Sequence, residues 1–424
     1  MGYATRFTAK VLAVTPESFC GLFYLKKMNK IKIVWLTPYP VHALQNELVW
    51  ACRRTYGHPC SWIVNLAKAL GRREDIDLYL ITLCPWVSFD QAIAHPDGYS
   101  LHVLKSGIPF IHKGFPGYIP LDTLSGYRIE RRKLVKMIRQ LQPDLVHAQG
   151  TEYAYGLAAM DAGYPWLVSI QGIIADYLRI NPCFRYKLVA SLETLVLSHA
   201  KFIGGRTHFD KGYVEKLNPA ATVFDLPEAM NECFFTAPWK DPGNQRILFV
   251  GSYERPKGLR RLIDALGLIA GQFPDLILDA VGGGSREQQS LINDQAADLC
   301  VKLNFHGFKN AQEIAELQRN TCLFVLPSEK ENSSNALAEA MVSGMPVVAF
   351  DTGGISSMVE HAVSGLLVPV GDNEALAASI VRLLRDPELR LQLGQAARKR
   401  SERNRPVQVA EITVQAYREI LKEQ

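Results

Sequence analysis

Residues 322–349 read Cys322-Leu323-Phe324-Val325-Leu326-Pro327-Ser328-Glu329-Lys330-Glu331-Asn332-Ser333-Ser334-Asn335-Ala336-Leu337-Ala338-Glu339-Ala340-Met341-Val342-Ser343-Gly344-Met345-Pro346-Val347-Val348-Ala349. The opening apolar run is short enough for a buried strand, and Pro327-Ser328 ends it. A polar loop follows, and the small residues from Asn332 to Asn335 are good openers for a helix over 334–343. A second apolar run at 346–349 completes strand, loop, helix and strand, the grammar of a parallel α/β sheet. In such sheets ligands sit at the carboxyl ends of the strands, and a helix N-terminus with free N–H groups suits a phosphate. Glu331 in the loop and Glu339 two turns into the helix can then face one crevice and bond hydroxyl groups. Taken alone, two glutamates eight apart fit a solvated helix face better.

The same theme runs outward in both directions. Strands are predicted at 31–36, 77–82, 101–104, 144–148, 166–170, 202–204 and 221–225, with helices near 60–70, 123–141, 152–162, 184–198 and 208–217. In the second half the strands fall at 246–251, 276–281, 301–305, 322–326, 346–349 and 366–368, alternating with helices near 258–270, 286–297, 310–319, 334–343 and 373–385. Between the halves, Ala237-Pro238-Trp239-Lys240-Asp241-Pro242-Gly243-Asn244 has no periodicity and reads as the boundary. The expected organisation is a leader over 1–29, a first domain over 30–236, a second over 245–403, and a terminal helix over 404–424 that returns to the first domain. Each domain is expected to be a doubly wound, Rossmann-like sheet with right-handed crossovers.

Composition narrows the function. The chain has 424 residues, 48% of them hydrophobic and 21% charged, with a net charge of +5, a balance too mild to indicate a nucleic-acid binder. The charge is uneven, with 26 basic and 19 acidic residues up to 235 against 21 and 23 beyond, so the first half is the side suited to an anionic surface. Eight scattered cysteines form no C-x-x-C pair and support neither a zinc site nor a disulfide framework, which suggests a reducing, cytoplasmic setting. No apolar run is long enough to span a bilayer. Asp75-Ile76-Asp77 has the form of a metal-binding Asp-x-Asp but precedes its strand, where a solvated connector is the plainer reading. P-loop, Gly-x-Ser-x-Gly and His-Glu-x-x-His patterns do not occur. Gly282-Gly283-Gly284 lacks the third glycine of a dinucleotide fingerprint, since residue 287 is Glu.

Glu331-x7-Glu339 followed by Ala-Met, Gly344-x-Pro346-Val-Val-Ala and Gly353-Gly354 resembles the Glu-x7-Glu signature of family-4 glycosyltransferases, retaining enzymes of the GT-B fold. Val359 to Pro369 with Asp372 is similar to the next block of that family, and Phe249-Val250-Gly251 with Lys257-Gly258-Leu259 is similar to its diphosphate-binding entry strand. The resemblance implies two Rossmann-like domains facing across a cleft. It also implies transfer of a hexosyl group from a nucleoside-diphosphate sugar to a hydroxyl, with retention, in bacterial surface polysaccharide or glycolipid synthesis. It further implies that Glu339 holds the donor ribose, Glu331 contacts the transferred sugar, the backbone after Glu331, in the donor-binding run Asn332, Ser333, Ser334 and Asn335, approaches the diphosphate, and Lys257 neutralises it. The family's arginine after Gly251 is Ser252 here, and Arg255 is the candidate replacement. Gly282, Gly284, Gly307 and Phe308 fall where the family places the nucleotide. No metal and no cofactor are implied.

The first half departs further from the family. Asp144-Leu-Val-His147-Ala-Gln149 matches a strand ending in two alternate histidines, and Gln149 replaces the second. Gln171-Gly172 replaces a His-Gly in the same way. Glutamine cannot become cationic, so His147 remains the catalytic candidate beside Gln149, against the plain reading of a satisfied strand histidine. Gly57 and His58, with Gln171, are the acceptor-side candidates. The helix around Arg128-Ile129-Glu130-Arg131-Arg132-Lys133 is basic and amphipathic, and reads either as a solvated crossover helix or as contact with an anionic membrane, which would place the protein peripherally at the inner face. The expected partners are a nucleotide-sugar donor and a glycan or lipid-linked acceptor, with no nucleic acid. A non-catalytic sugar-nucleotide sensor or partner subunit, or a nucleotide-sugar epimerase of the same build, is the alternative.

Overall fold

The computed structural model describes residues 30–44, 46–51, 60–107, 121–178 and 182–423. The leader 1–29 and the Gly57-His58 pair lie outside them. Two sheets carry the structure. The first is formed by β1 (Ile31–Leu36), β2 (Ile76–Cys84), β3 (Gln91–Ala94), β4 (Ser100–Lys105), β5 (Leu145–Gln149), β6 (Trp166–Ser169), β7 (Phe202–Gly205) and β8 (Thr222–Asp225), in the order β3-β4-β2-β1-β5-β6-β7-β8. The second contains β9 (Arg246–Val250), β10 (Ile277–Val281), β11 (Lys302–Gly307), β12 (Leu323–Leu326), β13 (Val347–Phe350) and β14 (Leu366–Val368), in the order β11-β10-β9-β12-β13-β14. All pairings are parallel except β3 with β4.

Alternation along each central strand feeds two cores, which is why the helices must cover both faces. In β1, Ile33 and Trp35 pack with Ile63 and Leu70 on one side, whereas Val34 and Leu36 pack with Leu134, Ile138 and Ala158 on the other. In β9, Ile247 and Phe249 join Leu262 and Leu376, and Leu248 joins Leu337 and Met341. Both sheets are therefore doubly wound, and the strand order reverses between β1 and β5 in one and between β9 and β12 in the other. Those two switch points open a crevice above the carboxyl ends of their strands.

Two local features differ from the sequence reading, and a third belongs to the stretch read as the boundary. The helix expected over 123–141 is two, Leu121–Leu124 and Arg128–Leu141, because Gly126 and Tyr127 both take positive φ, 58° and 53°, and turn the chain between them. The antiparallel β3 carries only a weak apolar alternation, Gln91-Ala-Ile-Ala, and is set by its pairing to β4. The polar stretch 237–244 is anchored at its centre: Trp239 is buried, its backbone N–H donates to Ser343 O at 2.7 Å, and its indole N–H donates to Thr321 O at 2.9 Å.

The chain ends in the helix Pro406–Lys422, opened by Pro406 at its first position. Its Val409, Ala410, Val414, Tyr417 and Ile420 are fully buried in the core that also holds Ile33 and Trp35 of β1. The Tyr417 hydroxyl accepts from Trp35 Nε1 at 2.8 Å and lies 2.7 Å from His147 Nδ1, while Arg418 donates to Asp75 Oδ2 at 2.7 Å.

Candidate functional site

The second switch point is built by the loops after β9 and β12. After β12, Ser328 is wholly buried and its hydroxyl meets no partner among the described residues. The chain then runs to Ser334, whose hydroxyl accepts from Leu337 N–H at 3.4 Å and caps the helix Asn335–Ser343. After β9, the turn Arg255–Lys257 brings the Lys257 ammonium to 2.6 Å from Glu331 Oε1, with Glu331 only 7% exposed. Two glycines make the approach possible. A Cβ at Gly282, with φ +130°, would lie 1.9 Å from Gly251 O, and one at Gly353, with φ +53°, would lie 1.8 Å from Glu331 O. Glycine alone fits at both positions.

A cleft of about 770 Å³ lies above this floor. Gly251, Ser252, Lys257, Gly282, Phe308 and Lys309 line it on one side, and Glu331, Ser333, Ser334, Asn335 and Glu339 on another. Opposite them stand Pro38, Gln149, Glu152, Tyr153, Gln171, Arg206 and Glu228 from the first sheet's loops. The cleft therefore joins both switch points.

The two halves are tied across it. Arg206, just past β7, donates from Nη2 to Ile170 O at 2.9 Å, Gln171 O at 2.5 Å and Gln171 Oε1 at 3.0 Å. Its Nη1 pairs with Glu228 and donates to Ser333 Oγ at 2.9 Å. Glu228 also accepts from the Asn335 amide, oriented by its neighbours, at 2.5 Å and 3.2 Å. His208 N–H donates to Ser357 Oγ at 2.9 Å, and Lys330 Nζ pairs with Asp176 at 3.4 Å.

Burial sets the electrostatics. Glu339 is pushed up to about 8, first by desolvation and then by the charge of Glu228, so that near neutral pH its carboxyl can donate as well as accept. Burial also raises Glu228, against the lowering effect of Arg206. Glu152 rises to about 7, again mainly through burial. His147 falls to about 3, because burial disfavours its charged form.

Of the residues singled out in the sequence, Lys257, Glu331, Ser333, Ser334, Asn335, Glu339, Gly251, Ser252, Gly282, Phe308, Gln149 and Gln171 meet in the cleft. Arg255, Gly284, Gly307, Asn332 and His147 do not line it. Arg255 is exposed and lies outside the cleft lining. The imidazole of His147 is held beneath the floor between Tyr417 and Ser169, with Nε2 2.8 Å from Ser169 Oγ, and is neutral. The Asn332 amide instead sits among Thr207 and the buried Asp210. His306, next to Gly307, pairs with the buried Asp279 at 2.7 Å. Asp75, half of the Asp-x-Asp sequence, is held by Arg73 and Arg418, and no group of three or more His, Cys, Asp or Glu suited to a metal occurs among the described residues. No described helix is long and apolar enough to cross a membrane.

Sequence reasoning missed Arg206, Glu228 and Glu152. A signal existed for the first: Gly204-Gly205-Arg206-Thr207 places a cation at the carboxyl end of a parallel strand, just before a helix capped by Thr207 and Asp210.

The family described as Glycosyl transferases group 1 matches residues 235–400. The D-inositol 3-phosphate glycosyltransferase of Pseudarthrobacter chlorophenolicus is 31% identical over 387 residues, covering 84% of this chain and 89% of that protein. The chain belongs to the group 1 glycosyltransferase family. Four other relatives align over 146–160 residues at 30–38% identity, and those alignments span 35–45% of the relatives' own lengths. Among solved structures, the sucrose-phosphate synthase of Thermosynechococcus elongatus superposes with a TM-score of 0.75 at 20% identity, covering 93% of this chain and all of the other. Anabaena HepE, in complex with UDP and glucose, superposes with a TM-score of 0.67 at 17% identity over 92% and 99% of the two chains. These likenesses show the GT-B fold, two Rossmann-like domains facing each other.

Proposed function

We propose that the protein is a retaining, family-4-type glycosyltransferase that moves a hexosyl group from a nucleoside-diphosphate sugar to a hydroxyl of a glycan or lipid-linked acceptor, in surface polysaccharide or glycolipid synthesis. The observation that carries this reading is the Lys257–Glu331 pair at 2.6 Å, set beside the start of the helix Asn335–Ser343 and in the same cleft as Glu339.

The physical argument follows the charge. As the bond from the sugar's anomeric carbon to the diphosphate breaks, negative charge grows on the leaving phosphate oxygen. On this reading Lys257, the first N–H groups of the helix Asn335–Ser343 and the hydroxyl of Ser328, which line the cleft, would meet that charge, and no metal is called for. Arg206, reaching in from the first domain, is a further cation lining the cleft, held there by Glu228. Glu331 would hold hydroxyls of the transferred sugar, and Glu339 would hold the ribose. The acceptor oxygen attacks on the face that the diphosphate leaves, the new C–O bond forms as the old one breaks, and the acceptor proton passes to the departing phosphate oxygen. This route uses no protein nucleophile and agrees with a neutral, enclosed His147. Gln149 and Gln171 stand on the acceptor side, and the basic helix Arg128–Leu141 is the surface suited to an anionic membrane at a cytoplasmic face.

The test is a thermal-shift panel of UDP, GDP, ADP and their hexose conjugates with and without EDTA. A ligand that binds only the native state raises its apparent stability. A shift by one diphosphate series that survives EDTA supports the reading, and no shift by any of them at millimolar concentration rejects it.

A further inference from the structure

A second cavity, of about 280 Å³, opens off the acceptor side of the cleft and shares Pro38, Cys60, Tyr153 and Tyr155 with it. It lies over the carboxyl ends of β2 and β4 and is closed by the start of the basic helix. Tyr39, Tyr127 and Tyr153 supply aromatic wall, and the Tyr127 and Tyr153 rings sit 6.4 Å apart at 58°.

Two independent features mark it as a built site. Six non-glycine residues among those described have positive φ, and three of them, Cys60 at 43°, Tyr127 at 53° and Tyr153 at 61°, line this one cavity. Each such residue costs about 1–3 kcal/mol, and strain of this kind concentrates where ligands are held. In addition, Ser106 is 5% exposed, lines the cavity, and its hydroxyl has no partner among the described residues. A buried hydroxyl left unpaired is costly until a ligand satisfies it.

The lining chemistry selects the ligand. Asp122 and Glu130 are its charged residues, and no Lys or Arg lines it among the described residues. The Glu130 carboxylate makes no hydrogen bond or ion pair to another described residue, and one oxygen of Asp122 is taken by Thr123. Two carboxylates in a half-enclosed space repel a phosphate, accept from hydroxyls, and disfavour a lipid chain. Aromatic faces beside carboxylates suit the apolar face and hydroxyl rim of a pyranose or cyclitol. The volume, at the foot of the ~300–1,000 Å³ range of ligand pockets, holds about one such ring.

We infer that this cavity is the subsite for an uncharged sugar or cyclitol ring of the acceptor, and that any phosphate or lipid of the acceptor stays outside it. The inference rests on the transferase reading for the ring's role as acceptor, but not for its binding.

The test uses the full chain and saturation-transfer NMR with methyl α-D-mannopyranoside, methyl α-D-glucopyranoside, myo-inositol and glucose 1-phosphate, while nucleoside-diphosphate binding is measured on the same samples. At least one uncharged ring should bind more tightly than glucose 1-phosphate. Ser106→Val and Glu130→Gln should each weaken it tenfold or more and leave nucleotide binding unchanged, which also shows that the variants are folded. Preference for the phosphate, insensitivity to both substitutions, or nucleotide binding with no ring bound overturns the inference. Ring binding that responds to the substitutions without nucleotide binding upholds the subsite and rejects the transferase reading.

Discussion

Arg206 Nη1 lies 2.9 Å from Ser333 Oγ, so one guanidinium that is fixed in the first domain by Ile170, Gln171 and Glu228 also touches the loop that opens the nucleotide-side helix. With both side chains of the Arg206–Glu228 pair under a tenth exposed, removing one partner strands the other in a poorly solvated place.

Arg206→Ala is therefore expected to lower stability by about 3–5 kcal/mol, the cost of an orphaned buried charge. Adding Glu228→Gln should recover part of it. Denaturant titration of the parent and the two variants checks this, and equal stability of the single and double variants would refute the coupling.

Lys257 and Glu331 touch, yet their substitutions should separate. Lys257→Ala should weaken nucleoside-diphosphate binding about 10- to 100-fold, or ~1.4–2.8 kcal/mol. Glu331→Ala should spare that binding and remove turnover. Calorimetry and a transfer assay on the same preparations read both effects, and full turnover by Glu331→Ala takes that residue out of the chemistry.

Glu339 predicts a slope with a definite sign. Its folded value of about 8 lies above that of an unfolded glutamate, near 4.3, so the native state holds the proton more tightly between the two. Its contribution then erodes stability as pH rises from about 4.5 to 8, and the buried, raised Glu152 and Glu228 act in the same direction. The melting temperature of Glu339→Gln should fall less steeply than that of the parent across this window. Parallel curves would contradict the assignment.

Tyr417→Phe removes one hydroxyl that serves both Trp35 Nε1 and His147 Nδ1. A loss of about 1–3 kcal/mol is expected in equilibrium unfolding, the cost of leaving buried polar atoms unmet. A neutral effect would mean that the ring alone anchors the helix.

Much of the fold was legible because buried parallel strands are written as short apolar runs punctuated by Gly, Pro and Asp, as at Phe249 and Phe324. The second-domain side of the cleft was legible for a local reason: Lys257, Glu331 and Glu339 sit close to one strand end or one helix start. Gly204-Gly205-Arg206 marks a cation at a strand end, but what Arg206 and Glu228 do there arises from a meeting with Ser333 and Asn335 more than a hundred positions away. His147 reads in one dimension as a reactive group, and only the return of Tyr417 shows it sealed. The orphaned Ser106 and the left-handed Tyr153 carry no sequence signature at all, because neither burial without a partner nor a backbone angle is visible in residue types.

The closing helix also sets an order of events during synthesis. The first sheet's core includes Val409, Val414, Tyr417 and Ile420, which leave the ribosome nearly two hundred residues after β8. Domains made early ordinarily fold while the rest is still being translated. In this chain the early half must wait with an apolar face of β1 and its neighbours uncovered, while the late half has all of its own strands in hand. The first sheet's core, and with it the full cleft, is complete only once residues 406–422 have been delivered.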